Sequence, residues 1–183
     1  DIMPPDSGVF LYPLIPTTEI MSGVLSPGDI DLLLLPYEGD EIVLDRALAM
    51  EIKVLRGRFS HQGKSPNDFG ATQAQALKAM GFPYVALAHL IVSDESPADA
   101  WRDIGVARVL DRGGRVELLD PEPIDWLPID LMNRSYGRLT AGVPADTGIG
   151  LVAAYLGSSD DHIAGYGRSN LLWLPSVRPA QRN

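Results

Sequence analysis

A chain of 183 residues, 45% apolar and 21% charged, carries enough apolar material for one domain with its own core. It has no cysteine, which excludes disulfides and thiolate metal sites, and no apolar run long enough to cross a bilayer as a helix. A formal net charge of −9 argues against a protein that simply coats nucleic acid, because such proteins are basic.

Prolines 4, 5, 13, 16 and 27 forbid a long helix near the start, and Val9 to Leu14 reads as a short edge strand. Ser26-Pro27-Gly28-Asp29 is a turn signal ahead of the apolar run Ile30–Leu35, a strand whose continuity predicts cover on both faces. Pro36 to Asp40 has hairpin-turn composition, and Glu41–Leu44 extends the hairpin. Leu48–Val54 is the next strand. Its alternation puts Ala49, Glu51 and Lys53 on one face and Leu48, Met50, Ile52 and Val54 on the other. The apolar face is expected to join the core. The charged face needs pairing or a metal ion to offset burial. Antiparallel pairing of the two strands brings Asp31 near Glu51, so that two carboxylates and a lysine converge as a hard-cation site.

Lys53, Arg56, Arg58, His61 and Lys64 follow with no acid between Lys53 and Lys64, a basic lip beside that site or simply a solvated loop. Ser65-Pro66-Asn67-Asp68 is a helix start, and the helix is predicted to run to about Met80 and stop at Gly81. Phe69, Leu77 and Met80 form its apolar stripe, with Gln73, Gln75 and Lys78 as polar candidates or plain surface residues. Tyr84–Val92 is a buried strand reached by a parallel crossover, and His89 within it reads as a hydrogen-bonded core residue in preference to a ligand. A capped helix from Ser96-Pro97 to about Gly105 carries Trp101. Val106–Leu110 and Val116–Leu119 are short strands around an Asp111-Arg112-Gly113-Gly114 turn. Prolines 121, 123 and 128 mark an irregular connection to a helix over Ile129–Leu139, whose Arg134 and Arg138 read as surface charges. Thr140–Gly150 lacks the Gly-Lys-Ser/Thr ending of a phosphate loop. Ile149–Leu156 is apolar, Ser158 to His162 a loop, and the chain from Pro175 a polar, basic tail.

Asp31 at the head of one strand and Glu51-Ile52-Lys53 on the next resemble the PD-(D/E)XK nuclease superfamily, in particular its restriction-endonuclease-like and Holliday-junction-resolvase-like members. The likeness covers about Gly28 to Val92 and rests on Gly28, Asp29, Ile30, Asp31 and Leu32, then Glu51, Ile52 and Lys53. It implies an α/β fold: a restriction-endonuclease-like mixed central sheet flanked by helices. A single domain over 1–183 would hold a nuclease-like core at about 26–120 and an irregular extension at about 121–183. The implied activity is Mg²⁺- or Mn²⁺-dependent hydrolysis of nucleic acid, with DNA the expected substrate.

By the same resemblance, Asp31, Glu51 and the Ile52 carbonyl would hold the metal, Lys53 would orient the attacking water, and Asp29 would be an outer acid. Gln75 would complete the catalytic set from the following helix, and Arg56, Arg58, Lys64 and Lys78 would contact nucleic acid. The superfamily's first helix with its acidic residue has no counterpart. Glu19 is the one acid in position and reads as an exposed turn residue. That helix would lie upstream of Asp1, as in a fragment or processed chain, or be dispensed with. A cytoplasmic protein is expected from the missing cysteines and signal peptide, with a secreted effector left open. A homodimer is open as well, since duplex cutters often need two sites. The competing readings are a non-catalytic binding module on the same fold and an unrelated α/β domain with a surface Glu51–Lys53 ladder.

Overall fold

A computed structural model describes residues 4–20, 23, 28–62, 69–156 and 176–183. Its main sheet is built from β1 (Ser7–Pro16), β2 (Asp29–Glu38), β3 (Glu41–Ile42), β4 (Leu48–Gly57), β5 (Tyr84–Ser93), β8 (Gly150–Tyr155) and β9 (Ser176–Arg178). Strands β6 (Arg102–Val109) and β7 (Val116–Ile124) form a separate two-stranded sheet, and the helices are α1 (Thr17–Ile20), α2 (Ala71–Ala79) and α3 (Leu127–Gly142). The order across the main sheet is β1-β2-β4-β5-β8-β9, with β3 on β2. β2 is antiparallel to β1 and β4, β5 is parallel to β4 and β8, and β9 is antiparallel to β8. The chain is thus a mixed α/β protein with a mixed central sheet. No helix among the described residues is long and apolar enough to cross a membrane.

The expected hairpin, the antiparallel β2–β4 pair and the parallel crossover through α2 are all present. Ala71, Ala74 and Leu77 recur one turn apart and seat α2 on the sheet. Gly81, at φ +93°, stops it in the left-handed conformation that only glycine adopts cheaply. Its start differs from expectation. Phe69 and Gly70 form a turn, the helix begins at Ala71, and the Ser65–Asp68 signal lies outside the described residues.

Both longer helices lie on one face of the sheet. Ala49, Val85, Leu87 and Leu151 pack there with Ala71, Ala74 and Leu77 of α2 and with Leu139. Further along, Leu55 packs with Ile91, Met132 and Ala153, and a side chain at Gly57 would strike Leu131. By alternation the buried face of β4 is therefore that of Ala49, Glu51, Lys53, Leu55 and Gly57. This reverses the sequence expectation. Met50 and Ile52 are half-buried and Val54 is 52% exposed, because the small residues on the other face let the helices approach it. Double cover of β2 is also incomplete: Ile30 and Leu33 are buried, but Leu32, Leu34 and Leu35 only half-buried.

Two further expectations are corrected. Ser96–Gly105 is not a helix: a 3₁₀ turn at Ala98–Ala100 gives way to β6, where Ile104 and Val106 favour extended backbone and β7 supplies the pairing. Residues 121–156 are not an irregular extension. Pro128 sits in the first turn of α3, where proline fits, and β8 joins the main sheet. The tail contributes β9, whose Arg178 donates through Nη1 to the Val143 carbonyl at 2.9 Å and through Nη2 to the Ile149 carbonyl at 3.0 Å. Leu139, fully buried, should therefore cost about 2–5 kcal/mol when truncated to alanine. Leu118 on β7, 82% exposed, should change stability by less than about 0.5 kcal/mol. Urea denaturation of the two variants measures both.

Candidate functional site

The β2–β4 ladder is short, pairing Leu32 with Met50, Leu33 with Ala49 and Leu34 with Leu48. One step further, that register sets Asp31 opposite Glu51. There the strands part, and the Asp31 side chain takes the place of the missing backbone partner: its Oδ2 accepts the Ile52 N–H at 2.6 Å. The Ile52 carbonyl points to the same edge of β4 as its N–H. The opening of two strands therefore collects one carboxylate, one backbone carbonyl and, on the helix-covered face, a second carboxylate.

Glu51 is 2% exposed, and its Oε1 lies 2.5 Å from Lys53 Nζ. Burial pushes the Glu51 carboxyl up from its ordinary pKa. The Lys53 hydrogen bond and charge oppose that shift, and the Asp31 charge reinforces it. The Lys53 stem runs beneath the start of α2. A side chain at Gly70, which has φ +86°, would come within 3.2 Å of Lys53 Cγ and 2.6 Å of Leu87 Cδ1. Glycine is required there on both counts. The Phe69 ring lies 5.6 Å from Lys53 Nζ, within cation–π range.

His89 is the register partner of Lys53 on β5 and is fully buried. Its Nδ1 is 2.8 Å from Ser135 Oγ of α3, and its Nε2 is 2.9 Å from the Phe69 carbonyl. Burial holds its pKa below the ordinary value, aided by the positive charges of Arg138 and Lys53 and opposed by the Phe69 carbonyl. Asp31, Glu51, Lys53, His89 and Ser135 thus form a polar seam across the helix-covered side of the sheet. The sequence reading found the first three and took His89 as a core residue. Ser135, Phe69 and Gly70 escaped it, and the available signal was a histidine of the same face parity in the adjacent parallel strand.

Other expected residues fall elsewhere. Gln75 is exposed on α2, off the Ala71–Ala74–Leu77 face, while Gln73 is half-buried in the first turn. Lys78 belongs to the far end of the parallel strands. A side chain on Gly148, just before β8, would meet its Nζ at 3.0 Å, and β8 enters the sheet opposite Ala86 rather than His89. Alternation turns Arg56 away from Glu51 and Lys53. Arg56, Arg58 and His61 instead line a cavity of about 200 Å³ with Val92, Ser93 and Asp94 at the C-terminal ends of β4 and β5. There Arg58 pairs with Asp94 at 3.3 Å. The sequential basic cluster is therefore not one lip beside the site. Lys64 lies outside the described residues. Asp29 and Glu19 are exposed, and Arg134 donates to Gln62 Oε1 at 2.5 Å.

Among the described residues no group of three or more His, Cys, Asp or Glu side chains is placed to hold a metal ion. The donor set at the fork is two carboxylates and a carbonyl, all oxygen. That chemistry suits Mg²⁺ or Mn²⁺, since Mg²⁺ takes one or two carboxylates and keeps water or phosphate oxygens in its remaining positions. No family model, curated protein or solved structure matches the chain.

The His89 shift has a definite sign. A depressed folded-state pKa means that below the ordinary value of 6.5 the unfolded chain binds the proton first, so stability falls as pH drops. Between about pH 7.5 and pH 5, urea midpoints should fall more steeply for the native chain than for His89→Gln.

Proposed function

We propose that this chain is a metal-dependent nuclease of the PD-(D/E)XK type, on a restriction-endonuclease-like fold, hydrolysing phosphodiester bonds of DNA. One observation carries the reading: Asp31 and Glu51 meet at the β2–β4 fork with Lys53 Nζ 2.5 Å from Glu51. Asp31, Glu51 and the Ile52 carbonyl would hold Mg²⁺ or Mn²⁺. When bound, the ion supplies charge neutralisation at the phosphoryl oxygens and lowers the pKa of a bound water. Lys53 supplies a fixed ammonium that orients the attacking water and stabilises its deprotonated form. The dry, helix-covered side of the sheet strengthens that interaction relative to bulk water. Gln73, in the first turn of α2 just beyond the Gly70 contact with Lys53, is better supported as a helix-borne polar partner than Gln75.

A non-catalytic nucleic-acid- or protein-binding module on this fold is the second reading. It is favoured by the 2% exposure of Glu51, already paired with Lys53, and by the net charge of −9.

Incubation with plasmid and with single-stranded DNA, in Mg²⁺ or Mn²⁺ with and without chelator, separates the two. The nuclease reading expects metal-dependent degradation. It also expects Asp31→Ala, Glu51→Ala and Lys53→Ala each to lower the rate by at least about 100-fold, with circular dichroism unchanged. Binding without cleavage selects the module, and a fully active Glu51→Ala protein ends the nuclease reading.

A further inference from the structure

The chemistry proposed above makes no use of His89, although the residue is fully buried and both of its ring nitrogens are engaged. A carbonyl oxygen only accepts, so Nε2 carries the hydrogen and donates to the Phe69 carbonyl at 2.9 Å. In the neutral imidazole Nδ1 is then the acceptor, and the Ser135 hydroxyl donates to it at 2.8 Å. The ring is therefore fixed in one tautomer and one orientation between α3 and the chain entering α2.

The residue it grips stands at the site. Phe69 precedes Gly70, whose backbone bears on the Lys53 stem and leaves no space for a side chain. The Phe69 ring itself lies 5.6 Å from Lys53 Nζ and, centroid to centroid, 5.9 Å from His89. A lysine side chain has four rotatable bonds and loses up to about 2 kcal/mol of rotamer freedom when fixed. Its pairing with Glu51 restrains only the tip. The stem is restrained by the Phe69–Gly70 turn, and that turn is held by His89.

We propose that His89 is a positioning residue, which fixes the Lys53 ammonium against Glu51 by anchoring the Phe69–Gly70 turn over the lysine stem. An ordinary core histidine would need satisfied nitrogens but no connection to Lys53. Here the hydrogen-bonded partner is the residue whose ring and successor both touch that lysine. The effect on Lys53 stands without any catalytic assignment, whereas its effect on rate rests on the nuclease reading.

The test compares His89→Leu, which removes both hydrogen bonds, with His89→Gln, whose amide reaches the same carbonyl from near the Nε2 position. The first readout is the ¹H–¹⁵N signal of the Lys53 ammonium, assigned by its loss in Lys53→Arg. It is expected in the native chain and in His89→Gln, and broadened or lost in His89→Leu. The second is cleavage of DNA with Mg²⁺: kcat should fall about 10- to 100-fold in His89→Leu at unchanged KM and recover in His89→Gln. Should His89→Leu not fold, Ser135→Ala releases Nδ1 and should broaden the same signal. An unchanged Lys53 signal in the folded variant overturns the proposal, whatever the cleavage result. Failure of the nuclease reading is distinct: the native chain cuts nothing, while the Lys53 signal still responds to position 89.

Discussion

The Glu51–Lys53 ion pair, buried beside a second carboxylate, is the constraint around which the molecule is arranged. Removing a carboxylate and an ammonium from water costs several kcal/mol per ion, and their attraction offsets this only with good geometry and further hydrogen bonds. Glu51 shows the balance directly. Its pKa stays raised despite a lysine 2.5 Å away, so burial and Asp31 together outweigh the pair. Well-packed apolar residues of similar size serve folding as well or better in such positions. Stability therefore gives no reason for the trio, whereas a role for charge at that spot does.

The fold accepts this cost through β4, which is antiparallel to β2 on one edge and parallel to β5 on the other. The antiparallel edge lasts three residue pairs and then opens, which frees the Ile52 amide for Asp31. The parallel edge is unbroken from Leu48 to Gly57 and sets His89 beside Lys53. Small residues decide which face is covered. Ala49, Gly57, Ala71 and Ala74 allow α2 and α3 to lie close to the charged side, and Gly70 lets the chain cross the lysine stem. The helices thereby exclude water from a face that hydropathy alone would assign to solvent.

Legibility in the sequence followed the range of the interactions. The β2–β4 pairing, the crossover to β5, the stop at Gly81 and the Asp111–Gly114 turn depend on nearby residues with local physical signatures, and each was readable. So was the meeting of Asp31, Glu51 and Lys53, because alternation and a hairpin register are enough to bring them together. Alternation says that the two faces of β4 differ without saying which one meets the helices, so the apolar face was misassigned. It did speak against a single basic lip, since Arg56 and Lys53 differ in parity. The places of β8 and β9 were hidden because their partners are remote. The same holds for His89: its significance comes from Phe69 and Ser135, which lie 20 and 46 positions away along the chain.

A body of net charge −9 is a poor general host for polyanions, and Arg56 has the opposite face parity to Glu51 and Lys53 while Arg58 lies past the end of β4, where it pairs with Asp94. Any affinity of the seam for a phosphodiester must therefore come from a few fixed charges. In the protein alone these are Lys53 against two carboxylates, a set that repels phosphate. A divalent cation held by Asp31 and Glu51 would reverse that local sign and turn the repulsion that raises the Glu51 pKa into shared attraction. The same binding would add to folding stability by mass action, since the unfolded chain does not bring those two carboxylates together. On the nuclease reading proposed above, an oxygen-seeking dication would supply the charge compensation that one lysine leaves incomplete for the buried Glu51 and the half-buried Asp31.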